Sequence, residues 1–267
     1  MTDPPSFTVL TLNLWNLGDP WERRAAVVES ALRALQPDVV CLQEVLRGEG
    51  LDQAARLADP LGYGVSFGRV GEEPYPFGNA ILSRWPARRT EVTALPRGGS
   101  DENRSALLCM LDSPFGSLPV CVTHLNWRLD AGQVRVAQVA HVVDFLDAHT
   151  TEDDLPAVLA GDLNAEPAAD EIRWLKGLTA IGGRSVYFAD AWEVAGGPGP
   201  GHTFVRRNPY AAPCREPDRR IDYVFVRGPN ARFEGYPLEA RVVLDGPGDA
   251  EGTWGSDHLG VFARIGL

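Results

Sequence analysis

Three oxygen-bearing side chains, Asp162, Asn164 and Glu166, crowd the end of the apolar run in LAGDLNAEP. Taken alone, Asp and Asn after such a run read as turn formers, because their short side chains bond the backbone two residues on. Other runs carry polar groups at their ends in the same way: Asn13 in TLNLWN, Glu44 in CLQEV, His124 and Asn126 in VTHLN, Asp222 in RRIDYVF, and Ser256, Asp257 and His258 in GSDHLG. Carboxylates and amides at several strand ends suit a hard, oxygen-seeking cation such as Mg2+ with open positions for a substrate phosphate. Zinc would want more histidine and cysteine. Glu166 falls beyond its strand end in a loop rich in Ala and Pro, so Asp162 and Asn164 are kept as candidates and Glu166 is set aside.

The elements that must position these groups form a weak repeat. A strand at residues 7–13 precedes a helix over about residues 20–36, with Asp19 at the N-cap, Pro20 at N1, Glu22 at N3 and Pro37 ending it. The apolar run DVVCLQE follows and stops on Glu44; its near-continuous hydrophobicity suggests a strand buried on both faces. The pattern returns as LPVCVTHLNW, a helix near residues 131–148, and LPAVLAGDLN. Asn13 and Glu44 are 31 residues apart, and Asn126 and Asp162 are 36 apart. Each half thus reads as a β-helix-β unit delivering polar groups at the carboxyl ends of its strands, where open α/β sheets build sites. The repeat predicts one cleft shared by two halves.

Between the halves, YGVSFGRV, GNAILS, ALLCMLD and SLPVCV predict hairpin-like antiparallel strands, so the sheets are expected to be mixed. A helix near residues 168–177, a Gly/Pro-rich loop and strands at 220–228, 239–244 and 258–265 complete the chain. No domain-separating linker interrupts it, which predicts a single domain over residues 1–267.

With 267 residues and 44% hydrophobic content the chain can bury a sizeable core. It shows neither a signal-type start nor a transmembrane-length apolar run, which predicts a soluble, cytoplasmic protein. Cys41, Cys109, Cys121 and Cys214 form no CxxC pair, and the first three sit in apolar runs as expected of reduced core thiols. A formal net charge of −11 argues against binding duplex nucleic acid through the overall field, although a local basic patch is compatible with it. Lys176 is the only lysine; codon bias accounts for that skew more cheaply than phosphate binding does.

The segments TLNLWN, CLQEV, GNAILS, VTHLN, AGDLNAEP, RIDYVFV and GSDHLGV occur in the order seen in the endonuclease/exonuclease/phosphatase superfamily, the DNase I-like fold. The chain resembles that family over residues 11–262. The resemblance implies a four-layer α/β sandwich of two mixed β-sheets flanked by helices, with the site at one edge. It implies a Mg2+ or Mn2+ held mainly by Glu44, assisted by Asn13 and Asp257. Asp162 would orient or deprotonate the attacking water, Asn164 would hold a phosphate oxygen, His258 would be the catalytic histidine, and Asp222 would fix its tautomer. A histidine beside a phosphodiester needs such an orienting carboxylate. Whether His258 or Asp162 takes the proton stays open at this level.

His124 resembles a second histidine of DNase I-like nucleases and sphingomyelinase-type members. Asn79 stands where DNase I-like enzymes have glutamate, so the implied partner of His124 is an amide. Arg104 matches a position near substrate, with a plain surface arginine as the alternative. His202 is a weaker candidate, His141 and His149 read as exposed helix positions, and Gln138 as a packing or capping residue.

Specificity is sought in residues 201–223, where Arg206, Arg207, Arg215, Arg219 and Arg220 outnumber Glu216, Asp218 and Asp222 for a formal charge of +2. A salt-bridged surface loop is the bland alternative. Arg219 and Asn126 join Asn79 and Arg104 as candidate substrate contacts. Trp15, Tyr75, Phe77 and Trp127 lie beside the motifs, either rimming the cleft or packed in the core. The leading expectation is a metal-dependent phosphodiesterase or nuclease, its substrate a nucleic acid, including abasic sites or ends, or a small-molecule or lipid-headgroup phosphoester. Acidity tilts it towards small substrates or single-strand ends. A non-catalytic phosphate- or partner-binding module is the alternative of another class; loss of a metal carboxylate or of His258 would mark it, and neither is missing.

Overall fold

The computed structural model describes residues 4–48, 50–71 and 77–267. In chain order the elements are β1 (Ser6–Asn13), α1 (Trp21–Leu35), β2 (Val39–Gly48), β3 (Leu51–Asp52), α2 (Gln53–Ala58), β4 (Gly64–Gly68), β5 (Phe77–Ser83), β6 (Ala87–Ala94), β7 (Ser105–Ser113) and β8 (Gly116–His124). They continue with α3 (Gly132–His149), β9 (Val158–Asp162), α4 (Asp170–Leu175), β10 (Ala189–Asp190), α5 (Ala191–Ala195), β11 (Asp222–Val226), β12 (Tyr236–Val243) and β13 (Gly260–Gly266). One sheet runs β12-β13-β1-β2-β5-β4 with β3 beside β2, and the other runs β10-β11-β9-β8-β7-β6.

In each sheet one parallel pair, β1 with β2 and β8 with β9, is joined across a helix, and the other strands pair antiparallel. Strand alternation sends Val9, Cys41, Val122, Val158 and Val224 to the core between the sheets. Leu10, Leu12, Val40 and Leu42 face Ala25, Val28 and Leu32 of α1, while Leu108, Cys121 and Leu159 meet Val139, Val143 and Leu146 of α3. The result is the four-layer sandwich of two mixed sheets that the motifs predict. Cys41, Cys109 and Cys121 are buried free thiols, as expected, and Cys214 is exposed. Among the described residues no helix is long and apolar enough to cross a membrane.

The same alternation aims the site. Asn13, His124, Asp162 and Asp222 lie in step with the inward-facing residues of β1, β8, β9 and β11, and Asp222 pairs in register with Asp162, as Asp162 does with His124. Gly161 permits the close pairing of β8 and β9. Its φ is 145°, and a Cβ there would lie 1.9 Å from the Thr123 carbonyl oxygen.

Several local expectations are corrected. α1 starts at Trp21, not Pro20; Pro20 occupies the N-cap with no side-chain cap, and its carbonyl accepts the Arg24 N–H. Gln36, in a left-handed conformation, ends the helix before Pro37. β2 does not stop on Glu44 but runs to Gly48, because the ladder absorbs Glu44 in a bulge between Leu42 and Val45. β6, ARRTEVTA, carries no apolar alternation because it is a mostly exposed edge strand. His141 and His149 are half-buried, not exposed; His141 bonds the Thr93 hydroxyl at 2.9 Å and His149 the Phe145 carbonyl at 2.7 Å.

Candidate active site

Glu44 reaches the site through its bulge. Plain alternation would send it to the α1 side with Leu42; instead it adopts φ 55°, a re-aiming that bulges commonly provide. Its Oε2 accepts the Asn16 amide at 2.6 Å and its Oε1 the Asn13 amide at 3.3 Å. Asn13 Nδ2 also lies 3.0 Å from Asp162 Oδ2, so one amide joins a carboxylate from each sheet. The Asn13 side-chain oxygen accepts the Trp15 N–H at 2.9 Å. Asn13 therefore meets Glu44 with its nitrogen, as a bridge, where the resemblance implies an oxygen ligand.

His258 is buried, and its Nδ1 lies 2.9 Å from Asp222 Oδ2 while its Nε2 faces Asp162 Oδ2 at 3.7 Å. Thr203 Oγ1 receives the Ile221 and Asp222 N–H groups at 3.2 Å each, and Phe204 packs on the imidazole at 5.1 Å between centroids. Asp162 Oδ1 takes the Asn164 N–H at 2.9 Å, and Asn164, at φ 50°, bonds the Leu125 carbonyl at 3.2 Å. The Ser256 hydroxyl lies 2.6 Å from the Asn13 carbonyl oxygen and 3.1 Å from Asp257 Oδ1, and Asn208, in the loop after Val205, donates its amide to both the Ser256 and Asp257 carbonyls.

Burial and mutual repulsion set the protonation of this cluster. Burial pushes Asp162 up to about 7, with Asp222 adding to it against the pull of His258. Burial likewise raises Asp257 to about 6; His258 opposes the rise and the facing Glu44 carboxylate reinforces it. For His258 burial works downward, but Asp222, Asp162 and Asp257 together outweigh it and hold the ring well above its ordinary value. Its neighbour goes the other way: burial, then Arg104 and His258, push His124 far below the usual range.

Among the described residues, Asp162, Asp222 and His258 bring ligand-type atoms within 4.8 Å of one another. Nδ1 of His258 is already engaged with Asp222 there, so this group is internally hydrogen-bonded. Glu44 lies close enough to Asp257 to raise it electrostatically, a repulsion between two oxygen donors that a divalent cation would relieve. The donor set fits Mg2+ or Mn2+ better than a softer metal.

The candidate substrate contacts divide. His124 Nε2 lies 3.3 Å from Asp162 Oδ2 and its Nδ1 is buried without a partner. Asn79 does not serve it; its amide donates to the Ser105 carbonyl at 2.9 Å, which also accepts the Thr123 hydroxyl at 3.1 Å. Arg104 is buried, with Nε 3.1 Å from Glu102 and Nη1 unpartnered, and Asn126 shares the same Glu102 oxygen at 3.1 Å. Gln138 caps this corner by accepting the Asn126 N–H at 2.9 Å.

Three of the five arginines of the 201–223 segment are ion-paired: Arg219 with Glu216 and Arg206 with Asp218 inside it, and Arg220 with Asp190 outside it. Arg219 therefore faces Glu216 and the Phe204 ring. Trp15 is packed between Arg24 and Tyr210, its ring over Gly18, where a Cβ would lie 2.2 Å from it. Phe77 is half-buried, His202 likewise, Trp127 is 56% exposed, and Tyr75 lies outside the described residues. Sequence reasoning missed Asn16, although it sits in TLNLWN, and Arg24, which on a helix reads as one more solvent-facing cation.

A family model for the Endonuclease/Exonuclease/phosphatase family matches residues 10–258. The chain belongs to that family. Its members are hydrolases of phosphoester bonds that generally use a divalent metal, so this chain is an enzyme of that class. It is 31% identical over 175 residues to the uncharacterized protein YbhP of Escherichia coli K12, covering 60% of this chain and 67% of that one. It is 29% identical over 163 residues to rat (Rattus norvegicus) Nocturnin, covering 56% of this chain and only 38% of that one. Zebrafish (D. rerio) TDP2 complexed with a single-strand DNA product has a TM-score of 0.74 at 21% identity, covering 98% of this chain and 99% of that one. The human Nocturnin catalytic domain with bound sulfate also gives 0.74, at 22% identity over 98% of this chain and 93% of that one. These structural likenesses establish the DNase I-like fold.

Proposed function

We propose that this family member is a divalent-metal-dependent phosphodiesterase or nuclease in which Asp162 activates water and His258 stabilises charge on the phosphate. The observation that carries the reading is the chain of contacts from Asp222 through His258 to Asp162 and on through Asn13 to Glu44. His258 sits among three carboxylates that keep it protonated, so it serves as a donor. Asp162, raised to about 7, is matched to accept a proton near neutral pH. Asn164 and the unpartnered Nη1 of Arg104 offer N–H groups to phosphate oxygens.

Glu44 and Asp257 would hold the Mg2+ or Mn2+, with Asn13 and Asn16 orienting Glu44. When bound, the cation supplies positive charge that polarises the phosphate. A catalytically silent module is disfavoured because the carboxylates and both histidines converge. Ion-paired arginines and the net charge of −11 favour a small phosphoester, a lipid headgroup or a single-strand end over duplex nucleic acid.

Purified protein offered bis-p-nitrophenyl phosphate with Mg2+ or Mn2+ should turn over, and chelator or His258→Ala should abolish this. Turnover indifferent to both would sink the proposal. A panel of plasmid, single-stranded oligonucleotide, sphingomyelin, inositol phosphate and nucleotide then tests the substrate class, with preferred plasmid nicking counting against it.

A further inference from the structure

Arg24 lies on α1 and is 0% exposed. Its guanidinium meets five backbone carbonyls: Nε to Gly18 at 2.7 Å, Nη1 to Leu14 at 2.8 Å and Gly255 at 3.0 Å, Nη2 to Trp15 at 3.4 Å and Asn16 at 3.2 Å. A guanidinium has five N–H donors, so the match is complete. Burying a cation on neutral acceptors is costly unless nearby charge compensates it. The carboxylates within electrostatic reach are Asp257, Asp19 and Glu44.

Four of the five carbonyls belong to the turn after β1, and that turn is strained. Trp15 has φ 53° and Asn16 φ 34°, a region unfavourable to non-glycine residues. The carbonyls converge on one cation, and the same turn sets the Asn16 amide 2.6 Å from Glu44 Oε2. The fifth carbonyl, of Gly255, stands two residues before Asp257.

We propose that Arg24 is a positioning residue of the metal centre: it locks the 14–18 turn against the Gly255 backbone, so that Asn16 fixes Glu44 and Asp257 is held facing it. The inference rests on the metal-dependent reading above and names the part of the fold that pre-forms its cation site. A buried cation within electrostatic reach of both carboxylates offsets their repulsion until the metal binds, and the Asn16 bond restricts Glu44 to one orientation.

The test measures Mn2+ affinity by titration calorimetry and by the Mn2+ electron paramagnetic resonance signal, alongside the melting temperature of chelated protein. Asn16→Gly is the informative variant. Glycine accepts the backbone angle and keeps the carbonyl for Arg24; it deletes the amide to Glu44 and the side-chain oxygen that accepts the exposed Leu17 N–H at 2.7 Å, a group that water can satisfy instead. It should bind Mn2+ about tenfold more weakly or worse, with the metal-free melting temperature within a few degrees of wild type.

Arg24→Lys should weaken Mn2+ binding at least as much and also melt earlier, because one ammonium cannot span five carbonyls. Wild-type Mn2+ affinity in Asn16→Gly overturns the inference while leaving the functional reading intact. A wild-type protein that neither binds Mn2+ nor turns over takes down both.

Discussion

Asp222 Oδ2 and His258 Nδ1 are 2.9 Å apart, and the opposite ring nitrogen of His258 faces Asp162. The first bond fixes the orientation of the ring and leaves its opposite nitrogen aimed at Asp162. Asp222→Asn keeps the shape but removes the charge, and is expected to raise the barrier by about 2 to 4 kcal/mol. Mn2+ affinity should persist, and the His258 ring should titrate lower by NMR. An unchanged rate would refute the orienting role.

The same cluster predicts the pH dependence of metal-free stability. Asp162 at about 7 and Asp257 at about 6 lie above the ordinary carboxylate value of 3.8, so the folded protein holds protons that the unfolded chain has released. Their stabilising contribution is full below that ordinary value and is lost as pH rises through 6 to 7. His258, raised above 6.5, has the same sign: its contribution is present below 6.5 and lost as pH climbs through its folded value. Because cations bind the deprotonated carboxylates, Mg2+ should raise the melting temperature more near about pH 8 than near about pH 5.5. Equal shifts at both would contradict this.

Glu44→Gln should remove most of the Mg2+-induced melting shift while the chelated protein stays folded. It also deletes the charge that reinforces the raised Asp257, so that carboxyl should titrate lower than about 6 in carbon-detected NMR. Should Asp257 fail to move, the facing of the two carboxylates is wrongly assigned.

Gly161→Ala tests the strand pairing that brings His124 beside Asp162. The added methyl would sit 1.9 Å from the Thr123 oxygen at φ 145°. Chemical denaturation should show a loss of roughly 3 kcal/mol or more, since both backbone angle and space are refused. A loss below roughly 1 kcal/mol would mean that the two strands can separate cheaply.

Trp127 is 56% exposed beside Asn126, in a loop whose carbonyls at Asn126 and Arg128 are held by Arg135. Trp127→Ala should leave stability within about 0.5 kcal/mol. If the ring stacks on substrate, KM should rise for nucleotide substrates and not for a glycerophosphodiester, which offers no aromatic ring to stack on. Equal loss on both would show that Trp127 supports the loop instead.

Much was readable because strand ends advertise themselves. Asn13, Glu44, His124, Asp162 and His258 each terminate or flank an apolar run, and such runs announce strands by hydrophobicity alone. The near-equal spacing of the two β-helix-β units predicts one shared cleft, and the Asn13 amide, bonded to Glu44 of its own sheet and to Asp162 of the other, joins the two halves. Edge strand β6 was illegible because no apolar face is required where solvent covers it. Composition counts the +2 of the 201–223 segment, with Glu216 already in that count, but cannot show that Asp190 pairs with Arg220 from outside it.

By itself, the order of residues determined which groups stand at the strand ends and therefore the chemistry available, because alternation and hydrophobic burial are local rules repeated along the chain. Only the tertiary structure decided that Glu44 turns into the site through a bulge, that Asn13 bridges it with a nitrogen, and that Arg24 gathers five carbonyls beneath it. Those choices depend on partners from 6 to 231 residues away, whose donors and acceptors must be satisfied together once water is excluded.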